Sequence, residues 1–234
     1  MSPKGPLAGA TLVFDLDGTL VDTAPDLVGT LNQMLVERGL PAVSLSSARP
    51  LVGGGARRML EHGFREAGAT FNAGAAPEMV ERFIDLYLER IARESRPFPG
   101  VVEALDRLRG EGARLVVCTN KRTSLAQALL QELALIERFD VVAGPDAVSA
   151  HKPHPAHLIE AIRMGGGDLR RAVMVGDSDA DARSAQAAGV PIVLVSYGYT
   201  EIPVESLGGN AVIDHFGALG PVVNRLLGVG EAAL

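Results

Sequence analysis

With 234 residues, 47% of them hydrophobic and 21% charged, the chain has room for one sizeable core and a smaller insert. Twenty-two basic against 28 acidic side chains leave a net charge of −6, and no run of Lys or Arg is long enough to follow a phosphate backbone, so neither nucleic acid nor an anionic membrane is the expected partner. The single cysteine, Cys118, excludes an intrachain disulfide and fits a reducing compartment, and no segment reaches the roughly 20 apolar residues of a membrane span, so a cytoplasmic protein is expected.

Met1 to Gly9 holds one Lys and no long apolar stretch, and does not read as a signal peptide. The run 11–14 is short and apolar, the pattern of a buried strand. It ends abruptly in Asp15-Leu16-Asp17-Gly18-Thr19. Side chains two apart on an extended chain point the same way. Two carboxylates about 4 Å apart repel by roughly 4 kcal/mol at an effective dielectric near 20, so a cation, a proton or a function must compensate. Taken alone, the pair also reads as a capping Asp and a turn Asp.

Residues 23–95 break the pattern. They read as helices only, over 26–38, 56–67 and 77–93, punctuated by Gly39-Leu40-Pro41 and by Gly53-Gly54-Gly55. This is a helical insert after the first strand. Pro97-Phe98-Pro99-Gly100 marks the return to the main domain, which comprises residues 1–22 and 96–234.

A helix over 101–109 then leads to a strand at 115–118, where Cys118 reads as a buried thiol. The strand ends in Thr119-Asn120-Lys121 before a helix at 124–135. A hydroxyl and an amide at a helix start read as a cap or as a phosphate cradle. A strand at 141–143 follows, then His151-Lys152-Pro153-His154-Pro155, where the flanking prolines keep Lys152 extended and a lone loop lysine would ordinarily be exposed. The three histidines recur every third residue, but Pro153 and Pro155 spoil any helix that would gather them on a metal. A helix over 155–164 leads to the strand 172–175, which runs straight into Gly176-Asp177-Ser178-Asp179-Ala180-Asp181. Asp181 lies one helical turn beyond Asp177, where a first-turn acid also suits the helix dipole. Asp179 points elsewhere. A helix over 182–188 stops at Gly189, and a strand over 192–195 closes the series.

Alternating strands and helices predict a doubly wound α/β domain with a parallel sheet and a Rossmann-like core. In such sheets ligands bind at the carboxyl ends of the strands, and all four polar pieces fall at those ends or in the connections leaving them. Together they supply an acid cluster, a hydroxyl, an amide and one Lys. Carboxylates that share a cation with a phosphate suit Mg²⁺.

Asp15-Leu16-Asp17-Gly18-Thr19-Leu20-Val21-Asp22-Thr23 closely resembles the first signature of the haloacid dehalogenase-like phosphohydrolases. Thr119-Asn120, Lys152-Pro153 and Gly176-Asp177-Ser178-Asp179-Ala180-Asp181 resemble the second, third and fourth, in the right order. The resemblance covers essentially the whole chain, and the helical insert is similar to the family's cap domain. It implies that Asp15 attacks phosphorus as a nucleophile and that Asp17 acts as acid and then base. It implies further that Thr119 and Lys152 bind the transferring oxygens. Mg²⁺ is then held by Asp15, the Asp17 backbone carbonyl and Asp177, with Asp181 supporting from behind. Gly18 and Asn120 are expected to contact substrate. Arg58, or its neighbour Arg57, is expected to meet an acidic group of the substrate from the cap.

Val52-Gly53-Gly54-Gly55-Ala56, Thr119-Asn120-Lys121 and Tyr197-Gly198-Tyr199 are similar to stretches of bacterial phosphoglycolate phosphatases. The implied substrate is 2-phosphoglycolate, with a sugar phosphate as the alternative, a phosphosugar mutase or a non-catalytic phosphate-binding module behind it, and a monomer or homodimer as the assembly. Family mutases usually carry Val where Thr19 stands, and dehalogenases lack the second Asp. Arg122 stands where many relatives carry Pro, a departure expected to be without consequence. Tyr197 and Tyr199 either flank the site or pack.

Overall fold

The computed structural model describes residues 5–200 and 202–229, so Met1 to Lys4 of the N-terminal reading lie outside the described residues. Strand β1 (Thr11–Phe14) is enclosed on both faces. After a turn, β2 (Val21–Asp22) pairs antiparallel with β3 (Arg96–Pro97), Asp22 opposite Arg96, in a ribbon separate from the main sheet. Between the two ribbon strands the regular structure is helical: α1 (Ala24–Val36), α2 (Leu45–Ala48), α3 (Gly55–Glu66) and α4 (Ala76–Leu88).

Each long helix of this group has a helical reason to be there. Pro25 and Pro77 occupy the first turns of α1 and α4, where a missing N–H costs nothing. Leu27, Leu31, Met34 and Leu35 line one face of α1, and Met79, Phe83, Leu86 and Tyr87 one face of α4. Gly63 of α3 lets α1 approach closely, since a Cβ there would stand 2.6 Å from Leu31. α4 stops at Leu88, short of the expected 93, and α1 stops at Val36.

After β3 the chain alternates: α5 (Val101–Gly110), β4 (Arg114–Cys118), α6 (Thr123–Glu132), β5 (Val141–Ala143), α7 (Pro155–Met164), β6 (Ala172–Gly176), α8 (Asp179–Ala188), β7 (Ile192–Val195), β8 (Ala211–Ile213) and α9 (Leu219–Leu226). The sheet is parallel throughout, in the order β5-β4-β1-β6-β7-β8. Val13 lies opposite Val116 on one side and Met174 on the other. Strand residues sort by period two: Leu12, Phe14, Val117 and Val175 enter one apolar layer, and Val13, Val116, Cys118 and Met174 the other. Helices cover both layers, which is why the strands are apolar without alternation.

The fold is the expected doubly wound α/β domain with a helical insert after the first strand. Its five expected strands are all present; β8 and α9 lie beyond them. The helix expected from Ala182 starts at Asp179, because Ser178 caps it and exchanges hydrogen bonds with Asp181. No described helix is long and apolar enough to cross a membrane. The sheet order turns at β1, with β4 on one side and β6 on the other. Asp15 therefore stands at the topological switch point.

Candidate active site

Asp15 follows β1 directly, and its amide still bonds to the Val175 carbonyl at 2.9 Å, so the sheet fixes its backbone. Its carboxylate accepts from the Leu16 amide at 2.7 Å and lies 2.9 Å from the Lys152 ammonium. Burial pushes the Asp15 carboxyl up to about 6; Lys152 opposes that rise, and the Asp181 and Asp17 carboxylates add to it.

Lys152 is not the exposed loop lysine its sequence setting suggests; it is 3% exposed. Its ammonium donates to Asp181 and to the Cys118 carbonyl, both at 2.7 Å, and faces Asp15, so three acceptors match its three donors. Burial works against its charge, but Asp15 and Asp181 outweigh that and hold it above its ordinary range. Asn120 clamps the same residue from outside. Its Nδ2 donates to the Lys152 carbonyl at 3.0 Å, and its Oδ1 accepts from the Lys152 amide at 3.1 Å. The Asn120 side chain, expected to contact substrate, is thus spent on positioning Lys152.

His157 completes the clamp. It sits on α7, which spans 155–164 as expected, and His154 caps that helix, so the three histidines do not share one helical face. Nδ1 of His157 accepts from the Lys152 amide at 3.2 Å, and Nε2 lies 3.2 Å from the Ala143 carbonyl, where it donates. That pattern is one neutral tautomer. Burial and the nearby Lys152 charge push the ring down to about 4.

Asp177 follows β6 and is also buried. Thr19 Oγ donates to one of its oxygens at 2.6 Å and the Tyr199 amide to the other at 2.7 Å. Burial, reinforced by Asp181 and Asp15, pushes it up to about 8. Gly18 takes φ +84° against this carboxylate; a Cβ there would stand 2.6 Å from Asp177 and 2.8 Å from the Tyr199 ring. Its requirement is therefore steric. Asp181 accepts from Ser178 Oγ at 2.6 Å with one oxygen and from Lys152 with the other.

One oxygen each from Asp15, Asp177 and Asp181 lie within 4.8 Å of one another. Three buried carboxylates faced by one lysine, two of them with raised proton affinities (Asp15 and Asp177), are an all-oxygen donor set short of positive charge, which fits a hard divalent cation. The Asp17 side chain is not part of this group. It turns to Lys121, whose ammonium lies 2.8 and 3.0 Å from its two oxygens and 4.7 Å from the centre of the Tyr87 ring on α4. Thr119 is buried, with its amide on the Ala143 carbonyl at 3.1 Å and its hydroxyl accepting from the Lys121 amide at 3.2 Å.

Two chambers meet at Asp15, Asp17, Asn120 and Gly53–Gly55. The larger, about 570 Å³, is walled by Lys152, Asp177 and Arg58 among others. The smaller, about 310 Å³, runs under the inserted helices between Leu27, Met59, Phe83, Ile84 and Tyr87, with Thr119 and Lys121 on its floor. Arg58 thus faces the acid cluster's side, whereas Arg57 lines the smaller chamber and pairs with Glu61 at 2.8 Å on the exposed surface.

Sequence reasoning missed Lys121, although it stood in a quoted motif, and left open whether Tyr199 flanks the site or packs. The Tyr199 hydroxyl donates to Asp22 at 2.6 Å and accepts from the amides of Thr23 and Ala24 at 2.8 and 3.1 Å. Tyr197 Oη donates to the Thr19 carbonyl at 3.1 Å. Both tyrosines thus bind the turn that carries the carboxylates, a role that aromatic residues in a loop do not announce.

A family model described as haloacid dehalogenase-like hydrolase matches residues 12–195. The phosphoglycolate phosphatase of Caulobacter vibrioides is 56% identical over 216 residues, 92% of this chain and 91% of that protein. That of Mesorhizobium japonicum is 44% identical over 89% of this chain and 92% of the relative. The crystal structure of a predicted phosphoglycolate phosphatase from Haemophilus somnus superposes with a TM-score of 0.84 at 29% identity, covering 91% of this chain and 97% of that one.

Proposed function

The chain belongs to the haloacid dehalogenase-like hydrolases, and on that footing we propose that it is a Mg²⁺-dependent phosphatase that hydrolyses 2-phosphoglycolate through an aspartyl phosphate on Asp15. The observation that carries the reading is the Asp15–Lys152–Asp181 chain at the switch point of the sheet, with Asp177 beside it. Residues 23–95 serve as the cap and residues 1–22 and 96–234 as the catalytic core, joined at the β2–β3 ribbon. The substrate is a small phosphorylated metabolite rather than nucleic acid. The enzyme works in the cytoplasm as a monomer or homodimer.

In the first step the Asp15 carboxylate attacks phosphorus, a new O–P bond forms, and the ester O–P bond breaks. Asp17 gives its proton to the departing oxygen, and glycolate leaves. In the second step Asp17 takes a proton from a water that attacks the aspartyl phosphate, which frees phosphate and restores Asp15. As Asp15 bonds phosphorus it gives up its Lys152 contact, and that donor, the Thr119 hydroxyl and the backbone amides around Asn120 meet the oxygens where charge spreads in the transition state. Asp15, Asp177 and the Asp17 carbonyl would hold Mg²⁺, with Asp181 orienting them; the ion offsets repulsion between carboxylate and phosphate. Asn120 and His157 keep Lys152 aimed and contribute no proton.

The test is phosphate release from a panel of small phosphate esters with Mg²⁺. The highest kcat/KM is expected for 2-phosphoglycolate. A sugar phosphate hydrolysed more efficiently would move the substrate assignment, and no release from any ester would end the enzymatic reading.

A further inference from the structure

Phosphoglycolate carries its carboxylate one methylene away from the ester oxygen. If Asp17 meets that oxygen, the carboxylate is necessarily a near neighbour of Asp17. In a chamber walled by Leu27, Met59, Phe83 and Ile84 the substrate carboxylate needs a cation beside it, and Asp17 needs one whenever it is ionised, before it takes up its proton and after it has given it. Lys121 stands there. Its ammonium touches both Asp17 oxygens, its side chain is 6% exposed, and it forms part of the chamber floor.

The other cations near this chamber are engaged elsewhere. Lys152 spends its donors on Asp15, Asp181 and the Cys118 carbonyl. Arg57 pairs with Glu61 and Arg122 with Glu81, both at exposed positions. Arg58 lines the larger chamber, beside Asp177. Lys121 is also held in place: the Tyr87 ring lies 4.7 Å from its ammonium, and that ring is buried on α4. The inserted helices thus supply the platform and the core loop supplies the charge.

We infer that Lys121 is the seat of the substrate's carboxylate, and that it selects phosphate esters bearing an acid group one carbon from the ester oxygen. This rests on the phosphoglycolate reading above. A lysine suits the task, since a compact ammonium with three donors can serve two carboxylates at once. The selectivity comes from the alternative: an ester without the acid group leaves the seat unfilled.

The experiment compares kcat/KM for 2-phosphoglycolate and for 2-hydroxyethyl phosphate, which replaces the carboxylate with an alcohol, in wild type, Lys121→Met and Lys121→Arg. Wild type is expected to prefer phosphoglycolate by about a hundredfold or more. Lys121→Met slows both substrates, because Asp17 loses its partner, but it also cuts the preference by about tenfold or more, mostly through KM for phosphoglycolate. Lys121→Arg restores part of that preference. If Lys121→Met does not fold, Lys121→Gln, which keeps a donor for Asp17 without the charge, is read by the same ratio. A variant that keeps the wild-type preference overturns the seat and leaves the phosphoglycolate reading standing. A wild type that shows no preference overturns both.

Discussion

Arg122 closes a two-pronged ion pair with Glu81 on α4, its two terminal nitrogens at 2.6 and 3.2 Å from the two carboxylate oxygens. The residue expected to be without consequence therefore joins the loop after Thr119 to the helices above it. The pair is exposed, so salt screens it and its strength is small. Glu81→Gln is expected to change kcat/KM by less than about threefold at low salt and not at all at high salt. Glu81→Arg, which sets two cations face to face, should cost more, and adding Arg122→Glu should restore activity. Steady-state kinetics across a salt series measure each of these.

Asp15→Asn is expected to abolish turnover without unfolding the chain. The amide keeps the shape and the Leu16 contact but cannot attack phosphorus usefully. Removing a covalent nucleophile costs about a millionfold in one protease. Single-turnover phosphate release measures the loss, and activity within tenfold of wild type would remove Asp15 from its role.

Lys152→Ala acts on two quantities at once. Loss of the ammonium leaves Asp15 and Asp181 facing each other in a buried site, which destabilises by about 3 kcal/mol or more. Loss of a donor to the transferring oxygens lowers kcat by about a hundredfold or more. Urea unfolding and kcat, measured on the same preparation, check both. A variant with normal kcat would leave Lys152 a purely structural cation.

Chelation should silence the enzyme and Mg²⁺ restore it, with Asp177→Ala needing far more metal. The dependence on pH has a definite sign. In the metal-free protein Asp15 is pushed up to about 6 and Asp177 to about 8, so protons compete with the ion for the same oxygens. Mg²⁺ affinity is expected to fall as pH drops below about 8, to fall more steeply below about 6, and to level off above 8. Calorimetric titrations in buffers of different ionisation enthalpy would show proton release on binding. An affinity flat from pH 6 to 8 contradicts this picture.

The parts of the site legible in the sequence were those where chemistry interrupts a pattern. Asp15 and Asp177 each break an apolar strand, and Lys152 directly precedes Pro153, which keeps it out of a helix. The residues that hold them were not legible, because their partners are remote in the chain. Nothing local distinguishes Asn120 as a clamp on Lys152, or Tyr199 as a ligand of Asp177. Strand β8 was overlooked for a related reason: Val212 is exposed on a three-residue edge strand, so no continuous apolar run marks it. Helix ends moved where capping decided them, as at Ser178.

Tyr199 has its amide on Asp177 and its hydroxyl on Asp22, Thr23 and Ala24, where the chain leaves the ribbon for α1. A phenol ring does not stretch, so it acts as a rigid spacer between the pivot of the inserted helices and the carboxylate that would hold an ion. Those helices cannot swing about Thr23 without breaking three hydrogen bonds or pulling on the backbone beside Asp177. If loading the acid cluster stiffens that joint, the amides of Thr23 and Ala24 should exchange with solvent more slowly once Mg²⁺ is bound, which hydrogen exchange with and without the ion measures.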